Sequence, residues 1–200
     1  MLIDKNNPKK VLLTLLKDFS SIHTITSLAE QIKLSRVGVW LISNRLEEER
    51  YCTLTATGKG KTSTSFLKLN WDNILVEKTL ILYLTEEALE QKRWYLHFTT
   101  LEKEVDFLIL YGSILHAPQL AHDIDILCIA NKKNFVKIQH TLDTLQKTTH
   151  KKIHSIQFTE QEFLHELRKP NDAFVDAVKT GVVLYGQEKF IQCMKKVYSQ

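Results

Sequence analysis

Phe107-Leu-Ile-Leu-Tyr-Gly-Ser113 and, nine residues later, Asp123-Ile-Asp-Ile-Leu-Cys-Ile129 decide the fold of this chain. The first run is apolar without interruption, the pattern of a strand buried on both faces. It ends at Gly112-Ser113, a pair suited to a tight turn that leads into a short helix or loop and leaves backbone N–H groups free for a phosphate. The second run predicts another strand. Side chains alternate faces along a strand, so Asp123 and Asp125 point one way while Ile124 and Ile126 enter the core. Two adjacent carboxylates offer oxygen ligands only, which suits Mg²⁺ better than zinc. A phosphate cradle facing a divalent-metal pair is the equipment of phosphoryl or nucleotidyl transfer.

Downstream, strands and helices alternate. Ala130–Asn134 opens a helix reaching about Thr148, with Phe135, Val136, Ile138, Leu142 and Leu145 inside. Residues 152–158 alternate as a strand, and Thr159 to Glu162 has the spacing of a capping box. Pro170-Asn171 breaks that helix, Gly181 closes the next, residues 182–186 form a short apolar segment, and a last helix runs from Gln187 to about Val197. This half reads as α/β around a small mixed sheet.

Upstream, Pro8 to Phe19 predicts a helix with Leu12, Leu13, Leu15, Leu16 and Phe19 on its apolar face. Thr26 is the expected cap of a second helix carrying Leu28, Ala29 and Ile32. Ser35 is the expected cap of a third, which carries Val39, Ile42 and Leu46 to about Glu49. The period then changes. Tyr51–Thr57 and Ser63–Leu69 read as two strands around a turn containing Gly58 and Gly60. From Trp71 to about Phe98 the chain is helical, capped by Asp72 or Asn73, with Ile74, Leu75, Leu80, Ile81, Leu84, Leu89 and Trp94 as the apolar positions of one amphipathic helix, or of two with a break near Thr85. No Pro/Gly/Ser-rich linker, repeat or low-complexity segment appears, so the two halves are expected to be rigidly joined.

The net charge of +4 permits nucleic-acid contact without arguing for it. No stretch approaches the ~20 apolar residues of a membrane span, and the first ten residues lack the apolar region of a secretion signal, so a cytoplasmic, non-membrane protein is expected. Cys52, Cys128 and Cys193 are odd in number and widely spaced, the pattern of reduced, mostly buried thiols.

Gly112-Ser113, nine residues, then Asp123-Ile124-Asp125 resembles the Gly-Ser…Asp-x-Asp signature of the polymerase-β-type nucleotidyltransferases, particularly their minimal prokaryotic branch. The likeness covers about residues 101–186. It implies that Gly112 and Ser113 bind the triphosphate of an NTP and that Asp123 and Asp125 hold Mg²⁺ and are catalytic. The reaction implied is transfer of a nucleotidyl group, AMP in the ATP case, to an acceptor hydroxyl on a protein or a small molecule. Family members carry a third carboxylate on a later strand. The matching strand here, residues 152–158, holds no acid, and His154 stands at that place as a candidate base through its Nε2. The sequence departs further at Ile114-Leu-His-Ala-Pro118, where an Arg-Gly is common, and at His122, where a Ser or Asn is usual.

Residues 8–70 resemble a winged helix-turn-helix domain. That likeness implies Arg36, Asn44 and Arg45 on the third helix as DNA contacts, with Lys59 and Lys61 at the wing tip against phosphate. Val37 and Leu41 fall where polar base-reading residues are expected, and the lone Trp40 reads as a packing residue at the helix edge. The expected α+β protein therefore has a winged helix domain at 1–70, a connecting helical region at 71–100 and a nucleotidyltransferase-like domain at 101–200. Three functions follow from it. One is an enzyme that transfers a nucleotidyl group. Another is a DNA-binding transcriptional regulator whose degenerate transferase domain senses nucleotide or mediates dimerisation. The third is an adaptor whose two domains only bind proteins.

Overall fold

A computed structural model describes residues 6–57, 64–169 and 172–198. The fold is α+β, with a two-stranded sheet and a four-stranded mixed sheet. The chain divides into two compact units, Met1–Tyr83 and Leu84–Gln200. Among the described residues no helix is long and apolar enough to cross a membrane.

In the first unit, α1 (Asn6–Lys17), α2 (Ile25–Ile32) and α3 (Arg36–Glu48) precede an antiparallel hairpin of β1 (Cys52–Thr57) and β2 (Thr64–Leu69). Leu12, Leu15 and Leu16 from α1, Leu28 from α2, and Val39, Ile42 and Leu46 from α3 are buried at the three- and four-residue intervals of their helices. Ser35 caps α3 as expected, accepting a hydrogen bond from the Gly38 N–H. The cap of α2 is Thr24, not Thr26. Thr24 and Ser27 each accept a hydrogen bond from the other's backbone N–H, so a serine fills the place of the usual Glu in the capping box. The backbone beside that cap also bonds the hairpin, with Leu67 N–H donating to the His23 carbonyl.

Helix α4 (Ile74–Glu90) carries the division between the units. Asn73 caps its start by accepting from the Leu75 N–H. No break occurs near Thr85, because Val76, Leu80, Leu84 and Ala88 form an unbroken buried row and no glycine or proline interrupts it. The helix ends at Glu90, and α5 (Lys92–His97) follows Gln91. Ile74, Leu75 and Leu89, expected on the apolar face, are exposed.

In the second unit the sheet order is β5-β4-β3-β6, formed by β3 (Phe107–Tyr111), β4 (Asp123–Ile129), β5 (Lys152–Phe158) and β6 (Val182–Tyr185). β4 pairs parallel with β5, and β3 pairs antiparallel with β4 and β6. Both faces of the sheet are covered. Leu108, Leu110, Ile124, Ile126 and Cys128 join Trp94, Phe98, Ile138 and Leu142, the last two from α6 (Phe135–Gln146). On the other side Phe107 meets Phe163 and Phe190 edge-on, with centroids 5.2 and 5.5 Å apart. These rings come from α7 (Glu160–Arg168) and α9 (Gln187–Tyr198), and α8 (Asp172–Thr180) packs against β3.

The Thr159–Glu162 capping box forms as expected. The break at Pro170-Asn171 and the wing turn with Lys59 and Lys61 lie outside the described residues. Val136 is exposed, not inside, since α6 turns Ile138 and Leu142 to the sheet and Val136 lies on its outer side. All three cysteines are free and buried, and burial pushes their thiols up to about 12.

Gly186 has φ 74° between β6 and α9, and a Cβ there would overlap the Asp106 carbonyl oxygen. Gly186→Ala is therefore expected to destabilise the protein by about 2–4 kcal/mol through backbone strain and displacement of the strand start. Urea unfolding checks this, and an unchanged midpoint contradicts the packing described at that turn.

Candidate functional site

The candidate site lies at one end of the four-stranded sheet. Along β4, Asp123 and Asp125 share a face with Leu127 and Ile129, which are buried farther along the strand. The two aspartates remain partly accessible. On the neighbouring strands, Tyr111 of β3 and His154 of β5 are the partners directly opposite Asp125. Register thus places a tyrosine, a carboxylate and an imidazole in one row across three strands.

His154 Nδ1 is 3.3 Å from Asp123 Oδ2 and 3.6 Å from Asp125 Oδ1. One ligand atom from each of the three residues lies within 4.8 Å of the others. The nitrogen facing the carboxylates is Nδ1, not the Nε2 expected of a base. His154 is exposed, as a polar strand residue can be, and it also belongs to the cluster.

Gly112 closes the arrangement from the other side. Its φ of 81° lies in the left-handed region, and a Cβ would overlap Asp125 Oδ2. The glycine is needed both for its backbone angle and for the close approach of that backbone to a carboxylate. Ser113 follows, exposed, at the start of a single 3₁₀ turn, Ser113–Leu115. Ile114 anchors this turn in the core.

The electrostatics follow from the placement. Burial, then the neighbouring charge of Asp123, lifts the Asp125 carboxyl above its ordinary range, while His154 opposes the rise. The Tyr111 phenol is raised by burial and by the same two carboxylates. Tyr111 was not among the residues expected from the sequence. The signal was its position immediately before Gly112, but only the β3–β4 register puts it opposite Asp125.

Among the described residues no other acid joins the cluster as a third carboxylate. Glu160 pairs with Lys196, and Glu162 accepts from the Thr159 N–H at 2.7 Å. The buried Glu104 accepts from the Thr141 hydroxyl and lies 3.4 Å from Lys137 Nζ.

The expected DNA-contact residues are less gathered. Arg36 is exposed at the start of α3 and Asn44 is partly exposed. The Arg45 guanidinium is held at 2.8 Å by Glu49, and this hydrogen bond raises its pKa. Trp40 is not a packing residue: it is 53 % exposed, beside exposed Val37 and Leu41. These three share a helix face with Asn44 at three- and four-residue spacing, because α3 turns Val39, Ile42 and Leu46 inward instead.

Compared with protein-family models, with curated proteins and with solved structures, the chain matches none.

Because Asp125 holds its proton more tightly in the folded protein than in the unfolded chain, its contribution to stability falls as pH rises through the carboxylate range. Asp125→Asn removes that penalty. The variant is expected to melt a few degrees above the parent in metal-free buffer at pH 7, with the difference vanishing near pH 3. Calorimetric melting across pH checks this, and a lower Tm at pH 7 contradicts it.

Proposed function

We propose that residues 101–186 form a nucleotidyltransferase domain of the polymerase-β type, which binds a nucleoside triphosphate with Mg²⁺ and passes its nucleotidyl group, AMP from ATP, to an acceptor hydroxyl. The observation that carries this reading is the convergence of Asp123, Asp125 and His154 beside the Gly112–Ser113 turn. Two adjacent carboxylates, one of them raised first by burial and then by its neighbour's charge, suit a divalent cation. Asp123 and Asp125 would hold Mg²⁺, and His154 stands where a third ligand or a proton acceptor is useful. Mg²⁺ bound there would neutralise charge on the phosphates.

The chain's own residues divide the remaining work. Gly112 carries no side chain, so the backbone can approach the phosphates closely, and the exposed Ser113 hydroxyl can donate to a phosphate oxygen. As the acceptor oxygen bonds to the α-phosphorus, the bond to the pyrophosphate oxygen breaks. The acceptor's proton passes to His154 when the imidazole is neutral. An acceptor on a protein or on a small molecule fits this scheme equally.

The first unit is read as a winged helix-turn-helix domain on the order of its three helices and hairpin. Its use as a DNA reader in a transcriptional regulator gains little from α3, whose outer face is apolar and whose Arg45 is already paired.

Calorimetry with ATP, GTP, CTP and UTP in the presence and absence of Mg²⁺ tests the reading. At least one nucleotide is expected to bind only with Mg²⁺. Binding is expected to weaken at least tenfold in Asp123→Ala and Asp125→Ala, and in Gly112→Ala, whose Cβ would meet Asp125. Nucleotide binding indifferent to Mg²⁺ and to these substitutions, or none at all, overturns the reading. Once an acceptor is in hand, His154→Ala is expected to lower kcat by about 10²-fold while leaving nucleotide affinity within a factor of a few.

A further inference from the structure

Strand β5 stands at the edge of the four-stranded sheet, with β4 on one side and, among the described residues, no strand on the other. The backbone groups of a strand point alternately to its two sides. The Phe158 carbonyl accepts from the Ala130 N–H at the end of β4, so Lys152, His154, Ile156 and Phe158 bond towards β4. Ile153 donates its N–H the other way, to Gln146 Oε1 at 2.8 Å, so Ile153, Ser155 and Gln157 face the open edge. Among the described residues, none pairs with the main-chain N–H or carbonyl of Ser155 or Gln157. Unpaired groups of this kind are a template for a further strand.

The side chains identify what fits there. Lys152, His154 and Ile156 share the face of Asp123 and Asp125, since Lys152 stands opposite Asp123 and His154 opposite Asp125. All three are exposed, Ile156 by 42 %. Lys152 has no carboxylate partner among the described residues. A strand added along this edge sets a side chain directly beyond His154, with Cβ atoms about 4.5–5.5 Å apart. The row of Tyr111, Asp125 and His154 thereby gains a fourth member, on the far side of β5 from the two carboxylates. Run antiparallel, the more stable sense, the added strand exchanges both backbone bonds with Ser155 and again with Gln157. Its residue two before the one facing His154 then meets Ile156, and its residue two after meets Lys152.

The geometry points to an extended polypeptide segment as the acceptor, added to β5 as an antiparallel strand with a Tyr, Ser or Thr hydroxyl opposite His154. This acceptor rests on the nucleotidyl-transfer reading of the site and narrows it to protein substrates. Backbone bonds to Ser155 and Gln157 hold the segment, and side chains select it. An apolar residue two positions before the hydroxyl covers Ile156, and an acid two positions after it pairs with Lys152. In the transfer the hydroxyl oxygen bonds to the α-phosphorus, its proton passes to His154, and pyrophosphate leaves. A small-molecule acceptor would use none of the open edge.

Fluorescence anisotropy of the full chain with a labelled peptide, Thr-Leu-Thr-Tyr-Thr-Asp-Thr, run without nucleotide, reads the docking alone. The parent is expected to bind it with a dissociation constant below about 1 mM, as suits one short strand, and Ser155→Pro to weaken binding at least tenfold. That proline removes an outward N–H and leaves the β4–β5 ladder intact. Its melting temperature and Mg²⁺-dependent nucleotide binding are therefore expected to stay close to the parent's. If Ser155→Pro fails to fold, Lys152→Glu decides, since it is expected to reverse the preference towards the same peptide with Lys in place of Asp. With ATP and Mg²⁺, mass spectrometry is expected to find AMP on the tyrosine, and none on the peptide when Phe replaces it. A peptide that does not bind, binding indifferent to both substitutions, or a bound peptide left unmodified by a protein that binds nucleotide overturns the proposal. So does an edge filled by β5 of a second copy, seen as a dimer that Ser155→Pro dissolves. Without Mg²⁺-dependent nucleotide binding the transferase reading fails and the acceptor role with it, while the anisotropy still separates a docking edge from none.

Discussion

Two carboxylates on one face of β4, two residues apart, repel each other, and the arrangement around them is what lets both persist. The parallel pairing of β4 with β5 brings His154 Nδ1 to 3.3 and 3.6 Å from them, and Gly112 lays bare backbone against Asp125. The buried remainder of the strand holds that end of the sheet in place. Ile124, Ile126 and Cys128 pack on one side, and Leu127 and Ile129 are buried on the other. The apolar core therefore sustains a locally unfavourable charge pair, a trade commonly found where binding matters more than stability.

Much of this fold was legible in the sequence because the signals were local. The unbroken apolar run of β3, the caps at Ser35 and Thr159 and the change of period after α3 each depend on a few neighbouring residues. The aspartate pair was legible for the same reason: strand alternation alone puts Asp123 and Asp125 on one face.

What was not legible depended on partners distant in sequence or on competition between neighbours. Thr24 displaced Thr26 as a cap because Ser27 could reciprocate and the adjoining backbone could bond the hairpin. The helix through Thr85 continued because its buried row was Val76, Leu80, Leu84 and Ala88, while other leucines, equally apolar in composition, faced outward. The sequence puts His154 at the place of the missing third acid, but which imidazole nitrogen faces the carboxylates depends on rotamer and sheet register. Tyr111 joins the row only through the β3–β4 pairing. The face of α3 shows the same limit, since Trp40 reads as a packing residue until the inward set is known.

The central claim is that Asp123 and Asp125 hold one divalent cation facing the Gly112–Ser113 turn, with His154 beside them as proton acceptor. Its most direct test is a crystal structure of the protein soaked with Mn²⁺ and a non-hydrolysable nucleoside triphosphate, recorded for the anomalous signal of the metal. The account predicts an anomalous peak coordinated by both aspartates, with nucleotide phosphates lying between that ion and the turn at Gly112. A saturating soak with no peak at the two carboxylates, or a nucleotide bound elsewhere with its metal, would contradict it.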